Sequence, residues 1–184
     1  MSQPAAYSIV ASIGPDGAGK TTLAGALARS LHERDAASVT PPRTVQVSGM
    51  NVGVFEFRTP RGLYQHVDFE NASVEAHLLA SSPPATVILH VCALDGPLPG
   101  TQKSLTHAHN ARAGRVVVAL TKCDAVDDPE LLDLVELEIR AMLSKYHYPE
   151  NSPVVRVSAT GAMRGDHRWG GSVLQLAAAL DGEG

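Results

Sequence analysis

Short runs of β-branched apolar residues alternate along this chain with segments whose apolar residues recur every three or four positions. The first pattern is typical of buried strands, and the second of helices with one buried face. The pattern predicts six strands, at 7–13, 45–57, 63–68, 85–94, 115–121 and 154–158, and five helices, at 20–33, 72–80, 101–112, 130–146 and 173–180. This alternation indicates an α/β domain with a mostly parallel six-stranded sheet and helices on both faces.

Turn and capping residues mark the ends of some of these elements. Asp128 is suited to cap the helix 130–146, Pro129 fits a first helical position, and Pro149 follows the end of the helix. The segment 59–62 reads Thr-Pro-Arg-Gly between two apolar runs. It therefore predicts a hairpin turn.

The composition is that of one globular domain. The 184 residues are 44% hydrophobic and 18% charged, which predicts a single domain over 1–184, with flexible ends at 1–6 and 182–184. The formal net charge of -4 provides no strong attraction for nucleic acid or an anionic membrane, and no apolar run approaches the roughly 18 residues of a membrane span. Two cysteines in apolar surroundings and the absence of a visible secretory signal predict a cytoplasmic protein.

One motif joins the first predicted strand to the first predicted helix. Residues 14–21 read GPDGAGKT and fit the pattern G-x-x-x-x-G-K-[ST], in which backbone N–H groups surround phosphates. In that pattern Lys20 reaches the β- and γ-phosphates, and the hydroxyl of Thr21 binds Mg²⁺. A glycine-rich turn without a ligand is the alternative. The predicted phosphate-binding residues are Asp16, Gly17, Ala18, Gly19, Lys20, Thr21 and Thr22.

A second motif bears on the base of the nucleotide. The loop GPDGAGKTT is similar to that of nucleoside monophosphate kinases, so it does not identify the base. After the apolar run RVVVAL the chain reads TKCD, which fits [NT]-K-x-D at the carboxyl end of a strand. The carboxylate of Asp124 can accept both the N1–H and the 2-amino group of guanine, and the stem of Lys122 can lie over the ring. With Thr121, these residues predict a guanine site.

Several longer segments resemble the G domain of the elongation factor Tu family of translational GTPases. They read LYQHVD, ALDGPLPGTQ, TKCDAVDDPELLDLVELEIRAMLSKYHYP, VVRVSA and RWGGSVLQLAAALD, and the likeness extends from about residue 7 to 181. The resemblance implies a P-loop NTPase G domain that binds GTP or GDP with Mg²⁺. It also implies that Asp68 holds Mg²⁺ through water, and that Ser158 and Ala159 belong to the loop whose backbone N–H reads the guanine oxygen.

The chain departs from this family where GTP would be hydrolysed. The aspartate of the family's first loop, G-H-V-D-x-G-K-T, is one position early here, at Asp16, and Gly17 stands in its place. The family follows its metal aspartate with C-P-G-H. Here Asn71 replaces the glycine that contacts the γ-phosphate, and Ala72 replaces the histidine that positions water. Asn71 tolerates positive φ better than most residues, but Ala72 cannot orient water, so weak or absent hydrolysis is expected.

Replacements for the altered residues remain open at this point. Gly49 aligns with the family's first-switch threonine, which caps Mg²⁺, with Ser48 beside it and Thr44 further away. Glu70 is the one catalytic candidate, and an exposed loop glutamate is its alternative interpretation. Besides the weakly hydrolysing binder, the sequence therefore permits an active GTPase that uses Glu70 or a partner, and a nucleoside monophosphate kinase.

Length and one helix bear on the partners. Family members that deliver aminoacyl-tRNA need further β-barrel domains after the G domain, whereas this sequence ends at Gly184, so delivery is not expected. In the family, the helix that matches 130–146 faces the exchange factor and the ribosomal stalk protein. A translation-related partner is therefore one hypothesis for this helix, and a purely structural role is the other.

Overall fold

Within residues 7–182, which the computed structural model describes, the apolar runs form one seven-stranded sheet. The strands are β1 (Ser8–Ile13), β2 (Arg43–Val47), β3 (Met50–Arg58), β4 (Leu63–Phe69), β5 (Thr86–Cys92), β6 (Arg115–Thr121) and β7 (Val154–Arg156). Their order is β2-β3-β4-β1-β5-β6-β7, in which β3 pairs antiparallel with both neighbours and the other pairs are parallel. Of the predicted flexible ends, all but Gly182 lie outside the described residues.

Helices cover both faces of this sheet, which confirms the predicted α/β class. They are α1 (Lys20–Arg34), α2 (Ala72–Ser81), α3 (Pro99–Asn110), α4 (Pro129–Lys145), α5 (Ala159–Met163) and α6 (His167–Leu180). Helices α1, α5 and α6 pack together on one face, and α2 packs against α3 on the other. Among the described residues, no helix is both long and apolar enough to cross a bilayer.

The prediction of six strands was wrong because the segment 45–57 contains a turn. Ser48 and Gly49 have φ angles of 52° and 79°, and they join β2 to β3 as a two-residue hairpin loop. Positive φ at both central positions is the geometry of a type I′ turn, and glycine adopts it without strain. The turn was missed because valines on both sides of it continue one apolar run.

Other local signals gave the correct ends of elements. The hairpin turn at 59–62 forms, with the Thr59 N–H donating to the carbonyl oxygen of Gly62 over 3.0 Å. Asp128 caps α4 by accepting a hydrogen bond from the Glu130 N–H over 2.9 Å. Helix α6 begins at His167 rather than near 173, because Asp166 accepts hydrogen bonds from the first N–H groups of the helix.

A polar cluster is buried among the central strands, directly before the loop that follows β1. The hydroxyl oxygen of Ser12 lies 2.9 Å from Nε2 of His66 on β4 and 2.9 Å from Nε2 of His90 on β5. A hydroxyl has one hydrogen, so at least one of the two histidines donates its Nε2–H to the Ser12 oxygen. Burial lowers the pKa of His66 to about 4 and that of His90 to about 3, where the charges of His66 and Lys20 contribute further.

The lowered pKa values of these two histidines predict that the folded protein loses stability in mild acid. In the unfolded chain a histidine binds a proton near pH 6.5, whereas the folded chain resists protonation down to about pH 4 and about pH 3. The free energy of unfolding should therefore be fully present above pH 6.5 and fall as the pH decreases towards 4. Between pH 7 and pH 5 each histidine should account for about 2 kcal/mol, at about 1.4 kcal/mol per pKa unit.

Urea unfolding of the wild type and His90→Leu at pH 7, 6 and 5 measures this effect and separates it from the titration of carboxylates. The variant should show a shallower decrease in the free energy of unfolding. The exposed His77, changed to Ala, provides the matched control and should leave the decrease unchanged. An equal pH dependence in wild type and His90→Leu would show that protonation of His90 does not cause the loss of stability.

Candidate functional site

The loop between β1 and α1 lies close against the neighbouring strand β5. A Cβ atom placed on Gly14 would be 2.8 Å from the carbonyl oxygen of His90, which is shorter than real Cβ contacts. Only glycine therefore fits at the start of the loop. The loop then turns back on itself, with the Ala18 N–H donating to the carbonyl oxygen of Pro15 over 3.2 Å.

The amino end of α1 is uncapped and carries a positive charge. No side chain caps this end and its first turn contains no acid, as all residues of the helix are described. Its first N–H groups therefore remain available to an anion. The ammonium of Lys20, a side chain only 7% exposed, donates to the carbonyl oxygens of Gly14 and Pro15 over 2.8 and 3.1 Å. Asp16 lies 3.9 Å from this ammonium but is 77% exposed, so this ion pair contributes little.

Asp68, at the end of β4, lies beside the first turn of α1. Its Oδ2 accepts a hydrogen bond from the hydroxyl of Thr21 over 2.6 Å. Its Oδ1 is buried and lacks a hydrogen-bond partner among residues 7–182. Burial raises the pKa of Asp68, while the Thr21 hydrogen bond and the charge of Lys20 oppose that shift.

These two side chains fit a magnesium ion better than a transition metal. The described residues contain no group of three or more His, Cys, Asp or Glu side chains that could hold a metal. Mg²⁺ needs no such group, since it commonly takes one or two protein oxygens and completes its shell with water and phosphate. The bare Oδ1 of Asp68 and the Thr21 hydroxyl are oxygen donors of this kind.

The segment after β6 is joined directly to the loop after β1. The buried hydroxyl of Thr121 lies 2.8 Å from the carbonyl oxygen of Ala18 and 3.2 Å from that of Val91. Lys122 follows with a φ of 59°, and both Lys122 and Asp124 are exposed at the surface. The Thr121 hydroxyl is thus occupied within the protein, while the next charged side chains remain accessible.

Cys123, between those two charged residues, points inwards. Burial raises the pKa of its thiol to about 11, and its Sγ donates to the carbonyl oxygen of Leu120 over 3.1 Å. Its backbone N–H donates to the carbonyl oxygen of Val157 over 3.2 Å. The residue therefore anchors the loop, and a protonated buried thiol is a poor nucleophile.

Ser158 and Ala159 form the fourth segment at this edge of the sheet. Ser158 is fully buried and caps α5, its hydroxyl oxygen accepting from the Gly161 N–H over 2.9 Å. Ala159 is the first residue of that helix. Because β1, β4, β6 and β7 run parallel, their carboxyl ends meet at one edge, as ligand sites of open α/β sheets require. The structure thus brings together the phosphate loop, Asp68 and the segments 121–124 and 158–159.

The residues that follow Asp68 lead into the beginning of helix α2. Asn71 has an extended backbone, with a φ of -157°, rather than the positive φ that its residue type tolerates. Its side chain caps α2 by accepting from the N–H groups of Ser73 and Val74 over 3.0 and 3.1 Å. Ala72 is the first residue of α2. Glu70 is exposed and has no side-chain partner among the described residues.

The first-switch alignment falls on the β2–β3 hairpin. Gly49 and its neighbour Ser48 form the hairpin turn, while Thr44 pairs with Gly53 within the sheet. The turn lies at the same edge as Asp68, because Val52 pairs with Phe69 at the end of β4. Of these candidates, only Ser48 presents a hydroxyl at the turn itself.

Sequence reasoning missed a buried acid near the phosphate loop. Glu75 on α2 is fully buried, and its Oε2 accepts a hydrogen bond from the Gly14 N–H over 3.2 Å. A signal was present, because Glu75 precedes Leu78 and Leu79 by three and four residues and so shares their helix face. The cluster of Ser12, His66 and His90 carried no such signal, since its members come from three strands.

Comparison with known families agrees with this geometry. The sequence model of the elongation factor Tu GTP binding domain matches residues 6–182. The match includes the phosphate loop, Asp68 and the segments 121–124 and 158–159. The chain therefore belongs to the elongation factor Tu GTP-binding domain family.

Proposed function

We propose that this protein binds GTP and GDP together with Mg²⁺, and that it hydrolyses GTP slowly or not at all. The observation that supports this most directly is the 2.8 Å hydrogen bond from the Thr121 hydroxyl to the Ala18 carbonyl oxygen. It holds the phosphate loop beside the segment that would read the base. Membership in a GTP-binding family supports the binding of guanine nucleotide.

In this proposal the phosphates lie against the uncapped amino end of α1. The backbone N–H groups from Asp16 to Thr22 surround them, because that loop and the first helical turn have donors to offer. Lys20 exchanges the carbonyl oxygens of Gly14 and Pro15 for phosphate oxygens. A phosphate is the stronger acceptor, since it is charged.

The metal would be held by the Thr21 hydroxyl and, through water, by Asp68. When bound, Mg²⁺ neutralises charge on the β- and γ-phosphate oxygens. The buried Oδ1 of Asp68, which has no partner in the described part of the chain, supports this role. An acceptor left bare in the interior is destabilising unless a ligand supplies what it lacks.

The guanine ring would lie between the segments 121–124 and 158–159. Asp124 would accept the two ring donors, and the stem of Lys122 would cover one face of the ring. The backbone N–H groups of Ser158 and Ala159 would donate to the base oxygen. Thr121 contributes by fixing the loop, because its hydroxyl is occupied by Ala18 and Val91.

Slow hydrolysis is proposed because no side chain at the start of α2 is suited to hold the attacking water. Ala72 offers only a methyl group, and Asn71 is engaged in capping. An active GTPase is the second candidate, in which Glu70, exposed beside this position, or a partner orients the water. A nucleoside monophosphate kinase is the third and has less support, since the base-reading segment favours guanine.

Exchanging Asp124 for Asn should weaken GDP binding about tenfold. The amide places a donor opposite the donors of guanine, and an unmatched buried pairing costs about 1–3 kcal/mol. Calorimetric titration measures the dissociation constant, and Asp127→Asn, an exposed carboxylate three residues further along the chain, is the matched control. In a parallel melting experiment the wild type should be stabilised by GDP and not by ATP or TMP. Stabilisation by ATP or TMP alone would favour the kinase.

Introducing a histidine by Ala72→His should accelerate single-turnover GTP hydrolysis about tenfold or more, because a positioned general base or water-orienting group contributes about that much or more. Ser73→His, one position further along α2, controls for an added imidazole. A wild-type rate equal to that of Lys20→Ala would support slow hydrolysis. A faster wild-type rate that Glu70→Gln abolishes would instead establish the active GTPase. No gain in Ala72→His would place the defect in the β2–β3 hairpin.

A translation-related partner is proposed for the outer face of α4. Leu131, Leu134 and Leu137 are 41%, 53% and 64% exposed there. The core contacts of this helix come from other positions, including Val135 and Ile139, so the fold does not need the three outer leucines. Three exposed leucines at helical spacing are typical of a surface that a partner covers.

Pull-down with a purified exchange factor and stalk protein should recover at least one of them. The double substitution Leu134→Gln and Leu137→Gln should reduce recovery at least tenfold, because it removes apolar contact area. Met163→Gln alters an exposed apolar residue elsewhere and should have no effect. Recovery of neither protein by the wild type would reject the proposal.

A further inference from the structure

A buried carboxylate links the helix after Asp68 to the phosphate loop. Glu75, in the first turn of α2, is fully buried. Its Oε2 accepts a hydrogen bond from the N–H of Gly14, the first residue of the loop, over 3.2 Å. Burying a carboxylate costs free energy, and the neighbouring residues Val74 and Leu79 pack into the core as apolar side chains. The hydrogen bond to Gly14 gives a specific reason for it.

Gly14 is held from three directions. Its N–H donates to Glu75, its carbonyl oxygen accepts from the ammonium of Lys20 over 2.8 Å, and the backbone of His90 lies where a Cβ would be. In the proposed function, Lys20 is the group that turns towards a phosphate. The contacts of Gly14 therefore differ between the nucleotide-free and nucleotide-bound protein on the side of Lys20, while Glu75 holds the other side.

The second oxygen of Glu75 faces α3 and has no hydrogen-bond partner among residues 7–182. Oε1 lies 3.5 Å from Nδ1 of His107, whose side chain is 21% exposed. Burial raises the pKa of Glu75, and hydrogen bonding by Ser104 and Gly14, the charge of Lys20 and His107 act against that rise. The carboxylate thus stands where α2, α3 and the phosphate loop meet.

The geometry points to Glu75 as a positioning residue that latches α2 to the phosphate loop, so that nucleotide binding and the order of α2 depend on each other. The bond to the Gly14 N–H fixes the start of the loop in the shape that receives phosphate. The same bond holds α2, whose first residues include the position of the missing water-positioning histidine. This inference rests on the proposed function for its ligand, a guanine nucleotide.

Two substitutions separate the hydrogen bond from the charge. Glu75→Gln keeps an oxygen acceptor for the Gly14 N–H, whereas Glu75→Ala removes it. GDP dissociation constants should stay within twofold of the wild type for Glu75→Gln and rise about tenfold for Glu75→Ala, the effect of losing one positioned hydrogen bond. His77→Ala, an exposed change on the same helix, should have no effect.

Amide hydrogen exchange in the nucleotide-free protein provides the second readout. In Glu75→Ala, the amides of α2 should exchange at least tenfold faster than in the wild type, while those of β6 remain equally protected. GDP should protect α2 in the wild type and in Glu75→Gln but not in Glu75→Ala. Loss of protection across β6 would mean general destabilisation, and the inference would then be judged on Glu75→Gln, whose failure to restore wild-type GDP affinity would reject it.

The two proposals fail in different ways. A wild type that binds no guanine nucleotide would reject the proposed function, and exchange of α2 in the nucleotide-free protein would still decide the latch. A wild type that binds GDP, with Glu75→Ala equal to it in affinity and in α2 exchange, would reject the latch alone. Equal weakening in Glu75→Gln and Glu75→Ala would also reject it, because the charge and not the bond to Gly14 would then matter.

Discussion

The close approach of Gly14 to β5 is the constraint on which the site depends. The space for a side chain at Gly14 is occupied by the carbonyl group of His90, so the loop can reach this depth only with glycine. That depth allows the Lys20 ammonium to bond the carbonyl oxygen of Gly14, and allows Glu75 to reach the Gly14 N–H from α2. Strand β5 and helix α2, both distant from the loop in sequence, therefore meet the loop at this one residue.

The segments proposed to bind the nucleotide and the segments that depart from the family's hydrolytic residues lie at the same edge of the sheet. The segments that would hold phosphate, metal and base are ordered by hydrogen bonds such as those of Thr121 and Asp68. The segments that would serve hydrolysis have local structural roles instead. Asn71 caps a helix, and Ser48 and Gly49 form a tight turn. A side chain engaged in a cap or a turn is less available to orient water, and this is the physical basis of the proposed slow hydrolysis.

Polar groups buried beneath the loop favour one arrangement of the central strands, at some expense in stability. Ser12 links His66 and His90, and both histidines remain neutral because burial disfavours their charged forms. Glu75 lies nearby as a buried acid. Such groups are destabilising unless each finds a partner, so they define one arrangement of β1, β4 and β5 more strictly than apolar residues would.

The sequence by itself determined the α/β class, the phosphate loop between β1 and α1, the turn of polar residues that follows β6 and the cap of α4. These features depend on local patterns, namely apolar periodicity, glycine spacing and capping residues, which need no knowledge of distant contacts. The division of 45–57 into two strands was missed because the valines on both sides of Ser48 and Gly49 continue the same apolar pattern. Only the tertiary structure revealed the contact of Thr121 with Ala18, the Ser12 cluster and the bond between Glu75 and Gly14. These contacts join residues that are 54 positions or more apart. They depend on the order of strands in the sheet and on the packing of helices against it, which periodicity along one chain cannot specify.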